Sequence, residues 1–290
     1  MAESAEKSPS APPSFAPDQP GVKWKSIALI VAAFAVLWVI AFILEPFIGY
    51  VGIVVVGVLT VVAIGFGIYI WRLATRSRAV VDILKGATDE EGRRAALERL
   101  RAEGTGGDAL RELAHAQLMA RENPGEAIRI LEGIDLKKAP ALVQDDIRAN
   151  LALMYLVQNR SKDARRLVDD IRMDRQPQAK AKALYAAVTA EAFARTGKTD
   201  DALKLLETFS ADDESYGEIR PMLYRAQVYT YLNAKKRGLA KTAMQRLSTI
   251  DTNMVAAFAM KSAHPELAKM AKELLVKSGA IPKQRVKMIR

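Results

Sequence analysis

The residues that could carry chemistry are few, and their spacing does not suit it. Thr196-Gly197-Lys198-Thr199 has the ending of a phosphate-binding loop. Such a loop needs a glycine five positions before Gly197 and a strand leading in, so that backbone N–H groups converge on phosphate. Ala192 holds that position and the lead-in reads as helix, so the tetrad is expected to be a turn between helices. His115 and His264 are the only histidines, and neither has carboxylates at ligand spacing, so no metal site is expected. With no cysteine the chain has no disulfide and no thiolate chemistry, which fits a reducing compartment. Asp145-Asp146 and Asp212-Asp213-Glu214 fall near expected helix starts, where acids complement the backbone dipole. These residues predict a chain that is not an enzyme, with no catalytic residue and no cofactor.

The elements around them begin with an apolar run. Residues 26–71 contain one acidic or basic residue, Glu45. Ser26 to Leu44 would span about 28 Å as a helix, close to the hydrocarbon thickness of a bilayer. Ile48 to Trp71 is long enough to cross with tilt. Proline lacks an amide donor, so Glu45-Pro46 with Gly49 is the expected turn of a transmembrane helical hairpin over 26–71. Lys23 and Lys25 precede the run, Arg72, Arg76 and Arg78 follow it, and the turn carries no Lys or Arg. The positive-inside rule therefore predicts that both termini and the repeat domain are cytoplasmic, and the expected location is that of an integral membrane protein of the bacterial inner membrane. Trp24, Tyr69 and Trp71 sit where interfacial aromatics belong. Glu45 reads as a solvated turn residue. Gly49, Gly57 and Gly65 recur every eight residues, a spacing suited to close helix packing within the hairpin or to self-association.

On either side the character changes. Residues 1–25 hold five of the twelve prolines among Ser and Ala and are expected to be a disordered tail. Residues 72–105 read as juxtamembrane helices, Leu73 to Lys85 and then a helix opened by a capping box at Thr88 and Glu91, ending in a glycine-rich break.

Residues 106–248 repeat. Ala127, Ala164, Ala202 and Ala240 stand at spacings of 37, 38 and 38. Nine positions before each lies Leu118, Tyr155, Phe193 or Tyr231; four positions after each lies Leu131, Val168, Leu206 or Met244. Asn123 followed by Pro124 and Glu126 is a strong helix start. A fixed period of helix–turn–helix units predicts a stacked array. Thr252 to Ser262 and Pro265 to Ser278, within 249–279, read as capping helices whose polar outer face includes Lys269, Lys272 and Glu273. Residues 280–290 form a short basic tail.

This pattern resembles the tetratricopeptide repeat, best over Leu151-Ala152, Tyr155, Ala164, Val168 and Ile171, then over Ala190, Phe193, Gly197, Ala202, Leu206 and Phe209. His115 and Val228 stand where the family has a small residue, and the period exceeds the family's 34, so longer connections between units are expected. The resemblance implies an all-α fold, two transmembrane helices followed by an α-solenoid of stacked helix pairs, and a protein-binding groove lined by the first helix of each pair. In that register the partner groove holds Met119, Asn150, Leu153, Leu156, Glu191, Arg195, Met222, Arg225 and Tyr229, with Glu112 and Ala194. Of the residues with which some members clamp a peptide carboxylate, only Asn150 is present, and Glu112 stands where Lys would be wanted. An amphipathic helix, or the chain's own capping helices, would suit the groove. In architecture the chain is also similar to bacterial two-span proteins with a tetratricopeptide domain associated with haem biosynthesis, without a residue-level match.

Charge completes the reading. Residues 1–25 net zero, the hairpin −1, and residues 72–290 carry +11, dispersed along helices. Such a domain is drawn to anionic lipid, while few exposed aromatics argue against nucleic acid. The expected function is a membrane-anchored adaptor or scaffold that recruits a protein partner to the cytoplasmic face. The alternative is an accessory subunit of a membrane enzyme or transporter complex.

Overall fold

The computed structural model describes residues 24–48, 50, 52–65, 67–68, 90–103, 108–120, 122–261 and 264–280. Residues 1–23 of the expected tail, the helix over Leu73 to Lys85, Thr88 of the capping box, the glycine break after Glu103, Trp71 and the final basic residues lie outside them, while Trp24 and Lys25, expected in the tail, are helical. Every described element is helical. The chain divides into two compact units, with the boundary between residues 96 and 97, inside the helix Glu90–Glu103.

The first unit contains α1 (Trp24–Ile48) and α2 (52–65). α1 continues through Glu45 and Pro46, so the turn lies later than the proline predicts, at Tyr50. Only two helical residues follow Pro46, and its missing donor costs a single bond of the last turn. The Tyr50 carbonyl then accepts from Val54 N at 3.1 Å and opens α2. The helices meet where Trp38 Nε1 donates to Thr60 Oγ1 at 3.2 Å, beside the buried Ala41 and Val56. Most other described side chains of the pair are exposed apolar groups, Leu29 at 73% and Val61 at 71% among them. Side chains of α1 are described only at 29 and 32–43. Among the described residues no helix is long and apolar enough to cross a membrane.

The second unit is a run of helix pairs: α4 (Ala109–Met119) with α5 (Pro124–Gly133), α6 (Ala141–Val157) with α7 (Ser161–Val168), α8 (Ala179–Arg195) with α9 (Thr199–Thr208), and α10 (Arg220–Asn233) with α11 (Arg237–Ile250). α3 (Glu90–Glu103) precedes them; α12 (Thr252–Lys261) and α13 (Pro265–Lys277) close the run. Ala127, Ala164, Ala202 and Ala240 are each the fourth residue of a second helix and fully buried. A lone methyl there lets the paired helices approach closely, and Leu131, Val168, Leu206 and Met244 fill the next turn of the interface.

The turn within each pair repeats as well. Asn159, Gly197 and Lys235 adopt left-handed backbone, with φ of 62°, 93° and 60°. Arg160 N donates to Tyr155 O at 2.8 Å, Lys198 N to Phe193 O at 2.9 Å, and Lys236 N to Tyr231 O at 2.8 Å, closing the first helix with a six-to-one bond. The carbonyls of the same three residues accept from Ala164, Ala202 and Ala240 N, each at 3.1 Å, and so begin the second helix. One residue thus ends one helix and starts the next. In the first pair Asn123 plays this part, its N donating to Met119 O at 2.8 Å and its carbonyl accepting from Ala127 N at 3.0 Å, and its side chain adds a cap by accepting from Glu126 N at 3.1 Å.

The long period comes from the connections between pairs, as expected. A 3-10 turn, Met173–Arg175, lies between α7 and α8, and another, Glu214–Ile219, between α9 and α10. Val228 is fully buried where the repeat wants a small residue, and His115 is half-buried, its Nε2 without a partner among the described residues. Burial, followed by the positive charge of Arg101, lowers the His115 pKa.

A polar core joining the helix pairs

The residues expected to line a groove sit on α4, α6, α8 and α10, and most of them are already covered. Leu153, Leu156, Ala194, Met222 and Tyr229 are buried; Met119 remains half-exposed. Arg195 on α8 donates through Nη1 to Glu191 Oε1, one turn earlier, at 2.8 Å, and to the Leu156 carbonyl of α6 at 2.8 Å. Its Nη2 reaches Asn159 Oδ1 at 2.8 Å. Arg225 on α10 donates to the same Glu191 oxygen at 2.9 Å. The Arg195 guanidinium also stacks on the Tyr229 ring, 4.6 Å from its centre, and Tyr229 packs on Phe258 of α12 at 5.3 Å. One cluster therefore ties three successive pairs and the first closing helix, and the closing segment covers this end of the face.

The cluster is out of water: the side chains of Glu191, Arg195 and Arg225 are 3%, 7% and 13% exposed. A carboxylate shared by two guanidiniums leaves one positive charge in excess. Its local role is to hold α6, α8 and α10 in one register, since a partly bonded ion cluster is costly to pull apart. Burial, with Glu191 adding to it, raises the Tyr229 pKa.

Asn150 is engaged within the fold. Its Nδ2 donates to Asp146 O at 2.8 Å and its Oδ1 accepts from Gln117 Nε2 of α4 at 3.4 Å. One amide hydrogen and the amide oxygen are thus taken within the fold, and the residue is buried away from a peptide carboxylate. Glu112 has its pKa raised by burial and then by Asp108, which adds no cation to such a clamp.

The acids near helix starts divide. Asp213 caps a 3-10 turn, accepting from Ser215 N at 2.9 Å. Asp145 and Asp146 are the fifth and sixth residues of α6, too far in for the dipole role, and bond sideways instead. Asp145 accepts from Arg148 Nη1 at 3.1 Å. Asp146 accepts from the Tyr185 hydroxyl of α8, which in turn accepts from Gln176 Nε2 at 3.2 Å. Burial pushes the Asp146 pKa up to about 6, with the Tyr185 bond opposing and Asp145 adding. Burial and Asp146 raise the Tyr185 pKa.

Tyr185, Arg165 and the bond that Asp146 makes escape sequence reasoning because each partner is distant along the chain. Arg165 of α7 lies 4.3 Å from the Phe193 ring centre and donates to Thr196 Oγ1 at 3.3 Å. The separations, 31 positions from Arg165 to Thr196 and 39 from Asp146 to Tyr185, approximate one repeat. Searching for polar pairs about one period apart is the signal that finds them.

Among the described residues no group of three His, Asp or Glu could hold a metal ion. Thr196 to Thr199 forms the α8–α9 turn. A tetratricopeptide repeat family model matches residues 118–188, from the end of α4 into α8. No curated protein and no solved structure matches the chain.

Proposed function

We propose that the chain is a membrane-anchored adaptor, its helix-pair array gathering a protein partner at the cytoplasmic face. The repeat match and the stacked pairs support a protein-interaction role. The anchor reading is carried by one observation, the exposed apolar surface of α1 and α2. Leu29, Val36, Val39, Phe42 and Ile43 on α1, with Val54, Val58 and Val61 on α2, face outward in a chain otherwise rich in charge. A monomer in water seldom shows so large an apolar surface. Basic residues flank the run and are missing from its turn, which favours the cytoplasmic side for the array. No catalytic role and no cofactor are proposed.

The test uses the full-length chain in native membranes. Alkaline carbonate should leave it in the pellet, and crosslinking before detergent should recover one saturable protein partner. Release by carbonate overturns the anchor; repeated recovery of no partner overturns the adaptor.

One observation favours an accessory subunit of a membrane complex as the second reading. A methyl group added at Gly57, Gly65 or Gly67 would meet nothing within 4 Å, so these glycines are not what holds α1 against α2. Each of these positions is open to another helix. Gly57→Leu with Glu45→Gln should disrupt such a complex; unchanged assembly excludes it.

A further inference from the structure

The net charge is not dispersed as the sequence reading expects. Residues 234–290 hold thirteen Lys and Arg against three acids, a net of +10, the whole of the chain's excess. Residues 108–233, which hold the first three helix pairs and α10, carry nineteen against twenty. The array body is neutral and its end is basic.

Geometry sharpens this. Lys235, Lys236, Arg237, Lys241 and Arg246, in and before α11, are exposed, as are Lys269, Lys272 and Lys277 on α13. Arg237 pairs with Glu266, and Arg246 with Asp212. The third acid, Asp251, is buried and accepts from Met254 N at 3.1 Å. That leaves Glu273 as the exposed carboxylate, and the six lysines have no carboxylate within 4.0 Å among the described residues. Lys241 of α11 and Lys277 of α13 line one shallow groove with Met244, Met270, Leu274, Gln245 and Glu273. Apolar side chains accompany the charge: Leu239 is 48% exposed, Ile250 45% and Met260 85%.

We propose that the end of the array built from α11, α12 and α13 docks on anionic phospholipid, its lysines against the headgroups and its exposed apolar side chains at the interface. Three features select lipid over other polyanions. Among the described residues every unpaired cation of α11 and α13 is lysine, a point charge suited to a fluid headgroup layer, whereas a fixed phosphate favours the planar fork of arginine. Exposed aliphatic groups lie in the same segment, as at interfacial anchors. Its aromatic residue, Phe258, is buried, leaving no stacking platform for bases. The proposal shares the membrane with the anchor reading, but the two fail separately.

The absence of cysteine gives a direct test. Full-length Thr242→Cys, labelled with a donor fluorophore on the exposed face of α11, is mixed with acceptor-labelled vesicles. Energy transfer should rise when roughly a third of the phosphatidylcholine is replaced by phosphatidylglycerol, and should fall back as salt goes from about 0.1 to 0.5 M. The combined variant Lys241→Gln, Lys269→Gln, Lys272→Gln, Lys277→Gln should need at least about tenfold more anionic lipid for the same transfer. The corresponding Lys→Arg variant should keep it, excluding loss of fold. Equal transfer from neutral and anionic vesicles, or an unchanged glutamine variant, overturns the proposal. Retention by duplex DNA near physiological salt without any response to anionic vesicles overturns it in favour of nucleic acid. The anchor is read separately, as salt-resistant pelleting with neutral vesicles.

Discussion

Arg225 on α10 donates to Glu191 on α8 across 2.9 Å, and the oxygen it reaches already accepts from Arg195. Two helix pairs thereby share one carboxylate, and a third joins through Leu156 O and Asn159. Register between neighbours is set by this shared acceptor as well as by apolar packing.

Removing the acceptor should therefore be severe. Glu191→Ala strands two buried guanidiniums and should cost about 3–5 kcal/mol in urea unfolding. Replacing Glu191, Arg195 and Arg225 together by Met removes all three charges and should return to within about 1–2 kcal/mol of the parent. A triple variant as unstable as the single one would show that shape, not charge, sets the register.

Asp146 gives a pH signature. Its pKa is raised in the fold to about 6, so its contribution is complete below about pH 4 and is lost as pH rises through 6. Asp146→Asn has no such titration, and above pH 7 it should exceed the parent by on the order of 2–3 kcal/mol. Denaturation midpoints for both chains across pH 4 to 8 measure the difference; parallel curves would remove the effect.

The buried alanines leave no room for growth. Ala202→Leu inserts a branched side chain where the methyl is fully buried between α8 and α9, and should cost about 1–3 kcal/mol. Lys204→Ala, two positions on and exposed, should stay within about 0.5 kcal/mol in the same denaturation series.

The left-handed turn residues make opposite predictions. Gly197, at φ 93°, should lose about 1 kcal/mol on replacement by Ala. Lys235, at φ 60° with a side chain, should gain a similar amount as Gly. Thermal unfolding of the two variants checks both signs.

Much of the fold is legible along the chain because it depends on near neighbours. Ala164 reads as a helix contact from Tyr155 and Val168 on either side, and Asn123-Pro124 announces a helix start through its own hydrogen bonds. Pro46 misleads because a proline so close to a helix end costs one bond and need not stop it. The sequence names Glu191, Arg195 and Arg225 as groove residues open to a partner, whereas in the fold they bond each other and are buried.

The sequence by itself determined the period, the paired helices, the small residues between them and the apolar run at 26–71, since each follows from spacing within one or two turns. Tertiary structure alone decided that Glu191 is shared, that Asp146 meets Tyr185, and that the unpaired lysines of α11 and α13 flank one surface. Those pairings are contacts between helices brought together about one repeat apart, and no local spacing carries the angle at which successive pairs stack.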